Sequence, residues 1–240
     1  MSAAPRERLA AGVIAKLPLF QQVSRQHLAE VVRHARTLYF RRGQTVARRG
    51  EPVPGLFAVA YGMVKLTLRG ASSTERVLRL VGPSQTFGEV VLFLQKPLPL
   101  DAVAVVDTRL VLVPAAPLLA LTDRDPHFAR SLVASLCQRM HALVCDFEAT
   151  TMHGATERLA AYLESLAASP EASGVTLPAA KKLVAARLGM TKETFSRALH
   201  ELAQAGLLAV KGREVVLIDR AGLAVFSSTG LPPAASSGGK

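Results

Sequence analysis

Cysteine is scarce: Cys137 and Cys145 are the two in 240 residues, so no disulfide framework holds this chain and a reducing compartment suits it. The N-terminal stretch MSAAPRERLAAGVIAKLPLF lacks an apolar run long enough for a signal core or a membrane span, so a cytoplasmic location without membrane attachment is expected. No histidine lies between His34 and His127, which removes the histidine and carboxylate cluster of a metal-dependent barrel enzyme. A nucleophile and base pairing and a phosphate-cradling glycine loop are missing too, and the chain is not read as an enzyme. Acidic residues are outnumbered, 18 against 29 Lys and Arg, for a formal charge of +11. That excess invites nucleic acid, yet residues 1–150 carry 19 basic against 11 acidic and residues 151–240 carry 10 against 7. Arg41, Arg42, Arg48 and Arg49 crowd one loop region, where their charge serves attraction to DNA or solubility. Solubility is the favoured reading.

Half of the residues are apolar, enough for a sizeable core in one large or two modest domains. Residues 6–34 have a helical pattern interrupted at Pro18, with Ser24 as a cap for a run whose Leu28, Val31 and Val32 face inward. From Arg36 to Pro114 the period changes. Short runs, TLYF, TVA, LFAVA, MVKLTL, RVLRL, AVAVV and RLVLV, are punctuated at Gly43, Gly50, Pro54, Gly62, Gly70 and Gly82, the signature of an antiparallel sandwich or barrel. Pro114 and Pro117 close the sheet.

A long helix is expected from about Pro126 to Met152. Its Val133, Leu136, Met140, Leu143 and Phe147 recur at spacings of three and four, which is either the seam of a two-stranded coiled coil or a stripe packed on the protein's own sheets. A further helix from about Gly154 to Ala168, with Leu159, Tyr162, Leu163 and Leu166 inward, precedes a loop, SPEASG, at residues 169–174. Between Ala180 and Leu208 the sequence KKLVAARLGMTKETFSRALHELAQAGLL reads as helix, tight turn, helix and stop. Leu183, Val184 and Leu188 face inward on the first helix, Gly189 breaks it, and Thr191 caps the second. Phe195, Leu199 and Leu202 form that helix's buried stripe, and Gly206 ends it. Lys192, Glu193, Ser196 and Arg197 then share its outward N-terminal side, as residues that meet base edges and phosphates do, or as a plain solvated face. LLAVKGREVVLID follows as two strands with Lys211 and Arg213 at the tip, and the tail beyond Phe226 is rich in Ser, Gly and Pro and expected to be disordered.

Leu-Gly-Met-Thr-Lys-Glu-Thr-Phe-Ser-Arg-Ala-Leu, residues 188–199, resembles the helix-turn-helix of the CRP/FNR family of bacterial transcription regulators. Gly-Glu-Pro (50–52), Gly62 and Phe-Gly-Glu (87–89) resemble the turns of that family's cyclic-nucleotide-binding β-roll. The resemblance implies an α+β chain: a β-roll sensor domain with N-terminal helices (1–125), a dimerisation helix (126–152), a winged helix-turn-helix domain (153–228) and a disordered tail (229–240). It also implies a homodimer on double-stranded DNA, working with RNA polymerase. The DNA-binding set is Thr191, Lys192, Glu193, Ser196, Arg197, Lys211 and Arg213, and the dimer seam is Val133, Leu136, Met140, Leu143 and Phe147. Glu193, Ser196 and Arg197 match the FNR-type reading set, which implies inverted repeats of TTGA-type half-sites. In that reading Arg197 contacts guanine, Glu193 the amino group of cytosine and Ser196 thymine or a base edge.

In members that bind cyclic AMP, the glutamate of the Phe-Gly-Glu turn holds the ribose and an Arg-Ser pair holds the phosphate. Here Glu89 is present, but Pro99 and Leu100 occupy the pair's positions, and Leu143 and Val144 stand where hydroxyls reach the base. A phosphate without such partners carries a heavy desolvation cost, so no cyclic AMP is expected, and Glu89 is read as accepting backbone hydrogen bonds from its turn. The effector pocket is placed at Phe87, Glu89, Leu100, Leu143 and Val144, for an apolar or planar ligand. Two cysteines do not supply an iron-sulfur cluster. They are read as buried, inert thiols rather than redox sensors. Residues 177–188 with Glu-Thr-Phe-Ser-Arg are most similar to the DNR-type subgroup, which implies a nitric oxide signal read through haem. The axial-ligand candidates are His27, His34, His127, His141 and His153, with His141 first. The alternative is a cyclic-nucleotide-binding regulatory module of CRP type.

Overall fold

The computed structural model describes residues 5–69, 75–167, 169 and 173–230. The chain divides into two compact units, Met1–His141 and Ala142–Lys240. The first opens with helix α1 (Pro5–Lys16), a 3-10 turn (Pro18–Phe20) and helix α2 (Arg25–His34). Pro18 sits at the start of the 3-10 turn, where its missing N–H costs nothing. Ser24 caps α2 as expected, its hydroxyl accepting from the His27 N–H at 3.2 Å.

Eight strands follow: β1 (Arg36–Phe40), β2 (Thr45–Ala47), β3 (Gly55–Tyr61), β4 (Val64–Arg69), β5 (Glu75–Val81), β6 (Thr86–Phe87), β7 (Asp101–Ala104) and β8 (Thr108–Pro114). They pair antiparallel as two sheets, ordered β1-β8-β3-β6 and β2-β7-β4-β5. The run LFAVA in β3 is apolar on both faces for a structural reason. Leu56 and Ala58 point to a core shared with Ile14, Phe20, Val31, Leu118 and Phe128, whereas Phe57 and Val59 point between the sheets, against Val64, Leu66, Val81, Phe87 and Leu110. Strand β8 divides its Val111 and Val113 from Leu110 and Leu112 in the same way, because side chains alternate along a strand. Phe57 stacks on Phe87 with ring centroids 4.9 Å apart.

Two helices interrupt what the sequence pattern reads as sheet and closing turns: α3 (Glu89–Leu94) and α4 (Ala115–Arg124). Pro114 ends β8, but Pro117 lies in the first turn of α4, where the absent N–H is one of the unpaired donors of any helix start. Helix α5 (Pro126–Met152) matches the expected long helix. Asp125 caps it, its Oδ1 accepting from the His127 and Phe128 N–H groups at 3.0 and 3.2 Å while Oδ2 meets His27 Nδ1 at 2.9 Å. Phe128 and Leu132 are the residues of α5 buried in the first unit's core, with Leu136 partly buried beside them.

The second unit holds the end of α5, α6 (Ala155–Leu166), β9 (Gly174–Thr176), α7 (Lys181–Arg187), α8 (Lys192–Gln204), β10 (Leu208–Lys211), β11 (Glu214–Leu217) and α9 (Arg220–Thr229). Its sheet is ordered β10-β11-β9, antiparallel throughout. Strand β9 begins at the last residue of the expected SPEASG loop, because Val216 and Val215 offer Gly174 and Val175 an open sheet edge. Helix α9 corrects the expected tail. Asp219 caps it by accepting from the Gly222 N–H at 2.8 Å, and Leu223 and Phe226 bury its inner face, so order extends to Thr229. The turn at Gly70, residues 170–172 of SPEASG and residues 231–240 of the tail lie outside the described residues.

Candidate nucleic-acid interface

Helix α7 buries Val184 and Ala185, and the chain then turns at Gly189, whose φ of +67° is disfavoured for residues with a Cβ. Leu183 and Leu188 are half-buried. The Thr191 hydroxyl caps α8 by accepting from the Thr194 N–H at 3.2 Å. Phe195, Ala198, Leu199 and Leu202 are buried, which commits one face of α8 to the core. The opposite face follows from helical periodicity: Thr191, Lys192, Glu193, Ser196 and Arg197 are all exposed. His200, which the sequence reading passes over, is exposed one turn further along that face. The Glu193 carboxyl is held below the usual range by its own backbone N–H, then by the Thr191 hydroxyl and by the charges of Lys192 and Lys182. It is therefore an ionised acceptor at neutral pH, flanked by cations.

Strands β10 and β11 pair Lys211 with Glu214, leaving Gly212 and Arg213 as a two-residue turn. Both expected wing cations are exposed. Arg213 has an internal role as well, since its Nε and Nη2 donate to the Leu177 carbonyl at 3.1 and 2.6 Å and so tie the turn to the segment before α7.

The residues expected to line an effector pocket fall in both units. Phe87 and Leu100 belong to the core between the sheets of the first unit. Leu143 and Val144 belong to the second unit and are exposed. Glu89 starts α3 after Gly88, whose φ is +97° and whose missing Cβ leaves room for the Gly55 carbonyl. Its partner is not the turn's backbone. Oε1 pairs with Arg139 Nη1 of α5, and Oε2 is buried without a hydrogen-bond partner among the described residues. Arg139 Nη2 also donates to the Thr86 hydroxyl at 2.7 Å. Burial, with the Arg79 guanidinium nearby, lowers Arg139 to about 10. In sequence Arg139 is one more polar residue on a long helix, and only folding reveals its partner.

Of the histidines, His34, His127 and His141 are exposed, His153 is half-buried, and His27 is held by Asp125. Both cysteines are exposed rather than buried. Among the described residues no three His, Cys, Asp or Glu side chains are grouped to hold a metal ion, and no helix is long and apolar enough to cross a membrane.

Residues 37–125 match the cyclic nucleotide-binding domain, and residues 157–226 match the Crp-like helix-turn-helix domain. The transcriptional regulator SdrP of Thermus thermophilus is 30% identical, over 78% of this chain and 92% of its own length. The structure of FixK2 from Bradyrhizobium japonicum aligns with a TM-score of 0.70 at 25% identity, covering 80% of this chain and 96% of that one. DNR from Pseudomonas aeruginosa aligns with a TM-score of 0.50 at 31% identity, covering 94% and 100%. With a cyclic nucleotide-binding domain and a Crp-like helix-turn-helix domain matched in one chain, and a transcriptional regulator 30% identical across most of its length, the chain belongs to the CRP/FNR family of DNA-binding transcription regulators.

Proposed function

We propose that two copies of this chain bind an inverted repeat of FNR-like TTGA half-sites in the cytoplasm and present RNA polymerase with a signal-dependent regulator. The observation that carries this reading is the division of α8: Phe195, Ala198, Leu199 and Leu202 inside, Glu193, Ser196 and Arg197 outside at its N-terminal end. A recognition helix entering the major groove presents that end to the base edges. Arg197 then donates two hydrogen bonds to guanine, Glu193 accepts from the amino group of cytosine, and Ser196 approaches thymine or a base edge. Thr191 and Lys192 at the start of α8, with Lys211 and Arg213 on the wing, meet phosphates. Selection from a random duplex library tests it: an enriched inverted TTGA repeat supports the reading, and enrichment of unpaired or unrelated sites contradicts it.

The second copy is argued from α5. Val133, Met140, Leu143 and Phe147 are 59%, 64%, 58% and 74% exposed, whereas Phe128 and Leu132 already cover the helix's inner side. Large apolar side chains forgo about 1.5–3 kcal/mol each when left in water, and a partner helix at the same stripe recovers much of it. Leu136 takes part at the edge of this stripe.

The signal proposed is not a cyclic nucleotide, since Pro99 and Leu100 replace the phosphate partners and Glu89 is already paired with Arg139. The resemblance to the nitric oxide-responsive subgroup makes haem, on His141, the specific form of this proposal. The residues as folded do not prepare that slot, for Phe87 and Leu100 are committed to the core and His141 is exposed. A cyclic-nucleotide-regulated module of CRP type is the second reading, favoured by the match over residues 37–125. Calorimetric titration with cyclic AMP separates the two, and saturable heat would establish the second.

A further inference from the structure

In the second unit two guanidiniums converge on the junction between α7 and the turn into α8. Arg187, the last residue of α7, places Nη2 2.6 Å from Asp146 Oδ2 on α5. Arg158 of α6 spans the same junction, donating from Nε to the Leu188 carbonyl at 3.2 Å and from Nη1 to the His153 carbonyl, just beyond α5, at 2.6 Å. Leu188 is the C-cap of α7, so its carbonyl belongs to a helix end and needs an outside donor. Thr156 Oγ1 adds a bond to Glu201 Oε2 of α8 at 2.7 Å. Tyr162 lies beside this group. Burial raises its phenol while the Arg187 charge pulls it down.

Asp146 sits between Leu143 and Phe147, two of the exposed apolar residues near the end of α5, and Arg187 is separated from Thr191, the cap of α8, by three residues. One ion pair therefore couples the turn of α5 that bears the proposed twofold contact to the segment that aims the reading helix. The Arg187 side chain is 24% exposed and that of Asp146 41%, and charge-assisted bonds between arginine and carboxylate are directional, so the pair favours one orientation of the two segments. We infer that Arg187, with Asp146 and Arg158, positions α8 relative to the end of α5 and thereby sets the spacing at which two half-sites are read. This rests on the proposed dimer.

Adding one base pair between half-sites displaces the second by about 3.4 Å and rotates it about the duplex axis, so a rigidly held pair of helices rejects the change. The experiment uses the full chain, as wild type, Arg187→Ala, Arg158→Ala and the reversed pair Asp146→Arg with Arg187→Asp. Affinity is measured on the selected inverted repeat, on the same site with one base pair added or removed, and on a single half-site. The wild type is expected to lose about tenfold or more on the altered spacings, and each alanine variant about threefold or less, with half-site affinity within about twofold of wild type. The reversed pair is expected to restore the wild-type penalty.

Arg187→Ala with an undiminished spacing penalty overturns the inference while leaving the dimer reading intact. A fall in half-site affinity equal to the fall on the full site also overturns it, because the arginine then supports only the fold. A wild type indifferent to spacing removes the dimer reading and the inference together.

Discussion

Arg139 of α5 neutralises Glu89 at the Phe-Gly-Glu turn, with the carboxylate side chain only 5% exposed. Removing one member of a buried ion pair strands the other charge, whereas removing both leaves nothing to desolvate. Arg139→Leu is therefore expected to destabilise the first unit by about 3 kcal/mol, and the double change Glu89→Leu with Arg139→Leu by clearly less. Urea unfolding of the wild type, Arg139→Leu, Glu89→Leu and the double variant measures this. A double variant as unstable as the sum of the single changes would show that the pair is not coupled.

The cap of α5 gives a pH prediction. Asp125 is held below the usual aspartate range by His27 first, then by the N–H groups of Phe128 and His127. A carboxyl with a depressed folded value adds stability that is complete above the unfolded value near 4 and is lost as pH falls through the lower folded value. Asp125→Ala is expected to cost about 1–2 kcal/mol at neutral pH, as loss of a cap does, and to flatten the fall in stability below about pH 4. Thermal unfolding between neutral and acid pH tests this, and an unchanged acid limb would contradict it.

The parts legible in the sequence were those with a strong period or punctuation. Phe195, Leu199 and Leu202 mark α8 by spacing, Ser24 and Thr191 mark helix starts, and most strands lie where β-branched runs sit between turns. Helix α4 was hidden because Pro117 reads as a breaker unless it falls in a first turn, and α9 because its small and hydroxyl residues, AGLAVFSST, resemble the tail. Strand β9 is only three residues long and exists through its pairing with β11. At the sites, exposure of Glu193, Ser196 and Arg197 follows from periodicity. The Arg139–Glu89 and Arg187–Asp146 pairs do not, since long-range partnership leaves no local pattern.

Along α5 the exposed stripe makes a direct prediction. Phe147→Asp, placed where the side chain is already solvated in one copy, is expected to leave the unfolding midpoint of the single chain nearly unchanged and to lower self-association at least about tenfold, by burying charge at a seam. Sedimentation equilibrium reads this. A variant that associates like the wild type places the contact elsewhere.

For the signal, the haem form of the proposal is tested by mixing the protein with stoichiometric haem: a Soret band distinct from that of free haem, shifted by nitric oxide and altered by His141→Ala, would support it although the folded residues do not prepare a slot. A spectrum equal to that of free haem removes the haem proposal and leaves DNA reading untouched.

The most direct test of DNA reading is Arg197→Ala in a binding-site selection beside the wild type. The expected result is loss of about 1–3 kcal/mol of discrimination at one base pair in each half-site, with the rest of the preferred sequence and the fold retained. If Arg197→Ala selects the same sequence with the same stringency, Arg197 does not read guanine and the assigned reading set of α8 is contradicted.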